Sequence, residues 1–457
     1  MGILTAIALI VIGVLLFELI ILFHEGGHFI AAKKSGVQVN EFALGMGPKI
    51  FGFKKGETQY SFRLLPIGGY CAMEGEDDES DNPRAFTNAK VWKRMIIIVA
   101  GAFMNIVLGL IMMFFIVVQT DTFSSTQVAG FSQNSFTANS GLEVGDKIVK
   151  LNDYSVWCAQ DMSFAIATLK CKKVDGTTLS IYKEDCSVEL CRLYAEHYKK
   201  LSKIKGSEKK ISELEKILTE GTSKINSEKS KTSAYSVMEE YYKKIEKAAG
   251  VKKYTVPEIE ERKTRQRFQT DIEVERGGKN VFLKDVQFYT YLQSEDAKEP
   301  SVAVDYYVEP INKDFGTVLQ QTGIQTVSVA RMVWSSLIGL GTGQFSFKDI
   351  SGPVGAASAI TQVASKGLEN SFLEAFNNIL YMMMLISVNL GIFNMLPFPA
   401  LDGGRFLFLL IEFLFKKPIP RKVEKIVNGV GLGILLLFMA VITVKDIWQL
   451  LPFANGG

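Results

Sequence analysis

Residues 16–34 read LFELIILFHEGGHFIAAKK. The run is apolar enough to sit in a bilayer, yet His24, Glu25 and His28 interrupt it, and the whole chain has only three histidines. His24 and His28 stand four apart, so on a helix they share one face, a turn from each other. Glu25 lies ~100° round from His24 at 3.6 residues per turn. This is the H-E-x-x-H pattern, in which two imidazoles hold zinc and the glutamate serves the bound water as general base. Ionisable groups inside a span cost at least ~2.5–3.5 kcal/mol each on insertion scales and are functional by default. A polar patch hydrogen-bonded to a neighbouring helix accounts for the residue types but not for their spacing. Gly26 and Gly27 fill the two open positions, where glycine permits close approach and loosens the helix. Glu18, two turns before Glu25 on nearly the same face, reads as a proton-relay group or as the partner of another helix.

Outward from this stretch, the 457 residues are 47% hydrophobic and 22% charged, and the two classes are segregated. Four runs, at about 3–32, 95–118, 375–396 and 426–444, have the length that crosses a bilayer, about 20 residues. The first has no Lys or Arg at its start and is too long in its apolar part for a cleaved signal peptide. Between runs one and two lie Lys33, Lys34, Lys49, Lys54, Lys55, Arg63, Arg84, Lys90, Lys93 and Arg94; between three and four lie Arg405, Lys416, Lys417, Arg421, Lys422 and Lys425. The positive-inside rule places both loops in the cytoplasm, and both termini and the long middle region outside. A net charge of +3 gives no footprint for nucleic acid.

Two imidazoles leave a tetrahedral zinc in need of a third protein ligand, with water as the fourth. The remaining histidine, His197, falls outside, whereas this topology puts His24 and His28 toward the cytoplasmic end of span one. Asp402 fits instead. It follows the uncharged third span in SVNLGIFNMLPFPALDGGR, 387–405, which runs toward the same side. Pro397 and Pro399 break helical hydrogen bonding there, and Gly403 and Gly404 permit a tight turn. Irregular backbone at membrane depth survives only when buried in protein or lining a wet cavity. An N-cap aspartate after a helix end is the plainer alternative.

HEGGH together with NMLPFPALDGG resembles the site-2 protease family of intramembrane zinc metalloproteases, in its bacterial RseP-like branch. The resemblance extends over most of the chain, through ALGMGPKIFGFKKGETQYSFRLLPIGGYCAMEGED at 43–77, RMIIIVAGAFMNIVLG at 94–109 and DISGPVG at 349–355. It implies that His24, His28 and Asp402 are the zinc ligands, that Glu25 is the catalytic base, and that Asn394 handles substrate, with Pro397 and Pro399 beside it. Gly26 departs from the bulky apolar residue common in that family, which bears on helix stiffness and not on the ligands.

Between spans one and two, Tyr60, Phe62 and Leu64 alternate with Ser61 and Arg63, a strand pattern, before a turn marked by Pro66, Gly68 and Gly69. A surface hairpin is one reading. The resemblance implies a membrane-associated sheet beside the active site, whose edge takes an unwound substrate as an added strand and so satisfies its freed amides. Span two carries Gly101, Asn105 and Gly109 at i, i+4 and i+8, a small-residue face suited to close helix packing, with Asn105 able to bond across. In the middle region, NSFTANSGLEVGDKIVKLNDYSV at 134–156 resembles a PDZ segment, with turns at Gly141 and Gly145 and a buried strand at Ile148, Val149 and Leu151. From about 172 to 278 the chain is dense in Lys and Glu, and Ile204, Ile211, Leu218 and Ile225 recur every seven residues with Leu214 between, reading as a helical hairpin. Its charges suit either a solvated arm or a site for an extracytoplasmic partner. Residues 320–345 read as an amphipathic helix near the membrane surface. Cys158, Cys171, Cys186 and Cys191 fall outside, where disulfides persist, and their pairing is open.

The expected architecture is a polytopic α-helical membrane protein with four transmembrane helices, a membrane-associated β-hairpin or sheet, and an extracytoplasmic PDZ-like α/β domain carrying a helical insertion. Its boundaries are 1–34 for the first span, 35–94 for a cytoplasmic loop with the sheet, 95–118 for the second span and 119–319 for the PDZ-like domain. A juxtamembrane segment follows at 320–370, the third span at 371–405, a cytoplasmic loop at 406–425, and the fourth span with the C-terminus at 426–457. The expected function is a cell-membrane Zn²⁺ endopeptidase, its active site toward the cytoplasm, cutting transmembrane segments of single-span proteins such as anti-sigma factors or remnant signal peptides. Zn²⁺ is the expected cofactor; transmembrane protein substrates and the lipid bilayer are the expected partners, and Tyr60, Phe62 and Leu64 the expected substrate edge. A non-catalytic PDZ-containing scaffold is the alternative, separated by metal content. A zinc protease acting on soluble chains at the membrane face is another, separated by mapping cleavage sites.

Overall fold

A computed structural model describes residues 3–450 except 77–79, 133–134, 169–171, 175–178, 203, 205, 252, 258–266, 292–300 and 345–349. In chain order it opens with α1 (Ile3–Ser35), β1 (Val39–Lys55), β2 (Thr58–Met73) and α2 (Val91–Gln119). The middle region follows as β3 (Thr122–Phe131), α3 (Phe136–Asn139), β4 (Lys147–Leu151), β5 (Tyr154–Ser155), α4 (Ala159–Thr168) and β6 (Lys172–Val174). Next come α5 (Leu179–Leu201), α6 (Glu208–Ser227), α7 (Lys231–Ala249), β7 (Arg267–Arg276), β8 (Lys279–Tyr291), β9 (Ser301–Ala303) and β10 (Tyr306–Asn312). The chain ends with α8 (Phe315–Gly341), α9 (Pro353–Leu368), α10 (Phe372–Asn394), α11 (Asp402–Phe415) and α12 (Arg421–Leu450). These elements form two compact units, Met1–Ser124 with Pro310–Gly457, and Ser125–Glu309.

In the first unit, four helices among the described residues are long and apolar enough to cross a membrane: Val11–Ser35, Val91–Gln119, Phe372–Asn394 and Arg421–Gln449. They coincide with the four apolar runs. The core between them is built by Ile20 of α1, Met112 and Met113 of α2, and Met383, Met384 and Val388 of α10. Val318 and Val329 of α8 join the same core. α8 therefore packs along these spans instead of lying as a surface helix. Its buried Thr322 and Thr326 return their hydroxyls to Val318 O and Thr322 O, so side chains that a hydropathy pattern counts as polar are satisfied inside.

β1 and β2 form an antiparallel ribbon that doubles back on itself. Residues 39–44 pair with 69–73 on one side and with 59–62 on the other, and 59–63 pair in turn with 49–54. Tyr60 faces Phe42 and Phe53, and Phe62 faces Leu44 and Phe51. Of the stretch expected to be the substrate edge, Tyr60 and Phe62 are thus interior, placed between two neighbours, while Leu64 lies beyond the doubly paired part. The outer strand on the α1 side is 69–73, and Gly69 packs so closely on α1 that a Cβ there would lie 3.2 Å from Ile21 Cγ2 and 3.6 Å from Glu25 Cγ. The ribbon's tip is tied to the end of α1 by Glu57, which accepts from Arg84 at 2.5 and 2.8 Å and from Lys33 at 2.5 Å. Those bonds, Arg84's first, hold the Glu57 carboxyl down to about 2, so the tie stays charged through the neutral range.

Residues 406–425, expected as a loop, are helical through Phe415. α12 is held both near its start and near its end. Near its start, Asn428 Oδ1 accepts from Ala400 N at 3.2 Å, and Gly431 packs on Pro399. Near its end, buried Asp446 accepts from Gly352 N and Gly355 N, each at 2.8 Å, and so caps the N-terminus of α9 in the SGPVG stretch. Lys445, bonded to Ile350 O, stands 3.3 Å from the same carboxylate.

The second unit holds a sheet in the order β10-β3-β4-β7-β8-β9, with β5 on β4 and β6 on β7. Its core is formed by Val128, Leu142, Ile148, Leu151, Ile272 and Phe288, among others. Gly141 and Gly145 take φ values of +100° and +93°, the left-handed turns that the sequence called for. The insertion is three helices, α5–α7, rather than a hairpin, with its own core of Leu190, Leu214, Ile225, Met238, Tyr241 and Ile245. Ile204 is exposed, and the buried face of α6 runs through Leu214, Gly221 and Ile225. Gly221 is required there, because a Cβ would meet the Tyr241 ring at 2.8 Å. His197, 3.2 Å from Glu246, is buried in this bundle. Cys191 is a free thiol, and Cys171 lies outside the described residues.

Candidate metal centre

α1 presents His24 and His28 to α2 from successive turns, their ring centroids 4.8 Å apart at 85°. Both are buried. His28 Nδ1 donates to Ile97 O at 2.8 Å, which leaves Nε2 of the neutral ring without a proton. That Nε2 lies 3.3 Å from His24 Nε2.

The third side chain arrives from α11. α10 ends at Asn394 and the chain runs irregularly through Pro397 and Pro399 before Asp402 opens the next helix. The left-handed residue of this link is Ala400, with φ +73°. Gly403 and Gly404, expected to make the turn, are helical; their lack of a Cβ lets the helix start sit on Leu396 O and Phe398 O, where a Cβ would come within 2.2 and 2.4 Å. Asp402 Oδ2 reaches 3.3 Å from both His24 Nε2 and His28 Nε2. That oxygen is buried and accepts no hydrogen bond from the protein, while the residue as a whole is half-buried. Leu401 occupies the N-cap position, and Asp402 follows it as the first helical residue. Arg405, on the next turn, pairs with Glu76 beyond β2, and Glu412 with Arg94 of α2 at 2.5 Å.

Among the described residues, His24, His28 and Asp402 are the group whose ligand atoms converge, all within 4.8 Å of one another. Three mutual separations of 3.3 Å match the ~3.3–3.4 Å between ligands that each stand ~2.0–2.1 Å from a tetrahedral zinc. Two imidazole lone pairs and an unsatisfied carboxylate oxygen, aimed at one another in a buried space, are costly without a cation between them. The donor set therefore fits zinc. Glu25, next to His24, is half-buried and flanked by Gly69 of β2. Asn394 sits at the same place, its Nδ2 3.4 Å from His24 Nε2. Pro397 and Pro399 lie in the link, and Pro399 packs on Gly431. Tyr60, Phe62 and Leu64, earlier on β2, contribute no ligand atom to this cluster. Both Glu18 oxygens are buried, near the backbone of Gly68.

Two residues of α2 read from sequence as packing residues belong to this centre. A Cβ on Gly101 would lie 2.3 Å from His28 Nε2 and 2.9 Å from His24 Cε1, so only glycine leaves the rings in place. Asn105 Nδ2 lies 3.2 Å from His24 Nδ1. Gly109, the third of the series, faces α10 instead, with Val388 2.6 Å from the position of a Cβ. The G-x-x-x-N spacing was the available signal, but small residues announce a close approach without naming the neighbour. Gly27 is likewise pinned against Ala100 O, whereas Gly26 has open space beside it.

Comparison with known proteins agrees with this chemistry. A profile of peptidase family M50 matches residues 12–438. A Clostridium acetobutylicum relative is 32% identical over 442 residues, covering 96% of this chain and 97% of its own. The regulator of sigma-W protease RasP of Bacillus subtilis is 29% identical over 467 residues, 98% of this chain and 99% of its own. The zinc metalloprotease RasP of Bacillus licheniformis is 29% identical over 471 residues, 96% of this chain and 98% of its own. With the family matched across nearly its whole length, the chain belongs to peptidase family M50 and is a zinc metalloendopeptidase of the site-2 protease type.

Proposed function

We propose that the protein cuts transmembrane segments of single-span proteins inside the bilayer, with His24, His28 and Asp402 as zinc ligands and Glu25 as general base. The observation that carries this is the meeting of two histidines from α1 and an aspartate from α11 within a bundle of membrane-length helices. When bound, zinc polarises the scissile carbonyl and activates water. Glu25 takes the water's proton at its carboxylate and returns it to the leaving amine. Asn394, at the end of α10, is placed to hold the substrate backbone beside His24. The positive-inside argument puts this centre toward the cytoplasm. Substrates of the anti-sigma or remnant signal-peptide kind, already shortened outside, suit such a site, and the name of the Bacillus subtilis relative supports a regulatory target. The decisive experiment changes Glu25 to Gln in cells and identifies the membrane proteins that accumulate as shortened fragments. If none does, the intramembrane reading falls.

A helix conceals its amides, so the substrate must unwind to be cut, and an outer strand stabilises it when unwound. The strand at 69–73, beside Glu25, takes this role in place of the one through Tyr60 and Phe62. Antiparallel strands point successive amides to opposite sides. Single prolines at Tyr70, Cys71 and Ala72 therefore include at least one that removes an outward amide. We expect that variant to cut more slowly at unchanged zinc content. Normal rates in all three would exclude strand addition at this edge.

We further propose that the second unit is an extracytoplasmic PDZ-like domain screening substrates, with α5–α7 as a separable arm for a partner. Among the described residues the sheet core takes none from these helices, whose apolar side chains build a core of their own. Because all three share one core, a deletion must remove all of 179–249. Cleavage of a pre-shortened substrate should then persist, while the choice among full-length proteins changes. Loss of cleavage on the short substrate would show that the arm is structural.

A further inference from the structure

A metal centre built on two Nε2 atoms needs both rings in the Nδ1–H form, and the two rings reach it by different routes. His28 is fixed by its bond to Ile97 O. His24 has no backbone carbonyl in that role; its Nδ1 meets the side chain of Asn105, which is fully buried. With Nδ2 toward the ring, the amide donates into Nδ1, the ring proton moves to Nε2, and His24 cannot ligate. In that orientation Oδ1 has no partner at all. A half-turn of the carboxamide places Oδ1 against Nδ1 with no other atom displaced. It exchanges one unpartnered atom for another, so the metal's requirement for a bare Nε2 decides between the two.

We propose that Asn105 is a positioning residue for the metal: with zinc bound, its Oδ1 accepts the Nδ1–H of His24 and fixes that ring's tautomer and plane. This rests on the His24–His28–Asp402 reading above. The residue is itself held by the third span. Ser387 Oγ donates to Asn105 O at 2.8 Å, and a Cβ on Gly391 would come 3.5 Å from Asn105 Cβ and 2.9 Å from Ala102 O. The same helix ends at Asn394 and leads to Asp402. Span three thus sets one ligand through the chain and adjusts a second through Asn105.

The test is zinc affinity, measured by chelator competition on full-length protein in detergent for wild type, Asn105→Leu and Asn105→Asp. Unfolding midpoints in excess chelator compare the folds without metal. Loss of such an outer partner typically lowers metal affinity ~10–100-fold, and this is expected for Asn105→Leu. Asn105→Asp keeps an acceptor and should hold zinc at least as well as wild type. Wild-type affinity in Asn105→Leu overturns the proposal, as does equal loss in both variants. Should neither variant fold, the smaller Asn105→Ala takes the place of Asn105→Leu: zinc affinity ~10–100-fold below wild type is expected, and wild-type affinity overturns the proposal. Wild type that binds no zinc would overturn the site reading and this inference together; wild type that binds it while the variants behave as stated against the proposal overturns the inference alone.

Discussion

Glu25→Gln protein is expected to hold zinc at the wild-type ratio and to cut its substrate ~10²–10⁴-fold more slowly, the usual contribution of a general base. The substitution changes one atom and keeps the volume. Glu25 is outside the converging ligand atoms, so metal retention does not depend on it. An amide cannot accept the water's proton, so the base is lost while the shape of the site is kept. Zinc content and turnover measured on one purified sample separate the two effects. Near-normal turnover would remove Glu25 from the chemistry.

Asp402→Asn should fail differently, losing zinc as well as activity. Its Oδ2 is 3.3 Å from each Nε2 and has no other partner, so nothing nearby substitutes for it. The amide keeps the size but removes the charge that offsets a dication in a low-dielectric site. Zinc-to-protein ratios of Asp402→Asn, its alanine counterpart and Glu25→Gln form one comparison. Full zinc occupancy in both Asp402 variants would mean that the third ligand lies elsewhere, and the link through Pro397 and Pro399 would need another explanation.

The chemistry of the centre was legible where it is local to one helix. Four residues separate His24 from His28, and helical geometry alone puts them on one face. Asp402 was reached by elimination, since His197 had to lie elsewhere, and it is now seen paired with Glu246. What escaped the sequence was the third dimension. The alternation around Tyr60 indicates a strand but not how many neighbours it has; only the doubling back of β1 and β2 makes it interior. Gly403 and Gly404 suggest a turn on composition, while the strained backbone falls on Ala400. Gly221 looks like a flaw in a heptad and is instead the one residue small enough to face Tyr241. In each case the residue type signals close contact, and the partner comes from a part of the chain that no local pattern reaches.

The cap that Asp446 places on α9 has a consequence for biosynthesis. The amides of Gly352 and Gly355 receive their acceptor from a residue more than ninety positions later. While the chain is being made, the SGPVG turn leaves the ribosome with those donors open, and they stay open until the last span has been inserted. The start of α9 therefore cannot lock at the time of its own synthesis. Pulse-labelled chains stopped before Lys445 should remain open to protease near Gly352, and chains released after the fourth span should become resistant. The final helix, which gives few side chains to the core, would then act as the step that completes assembly.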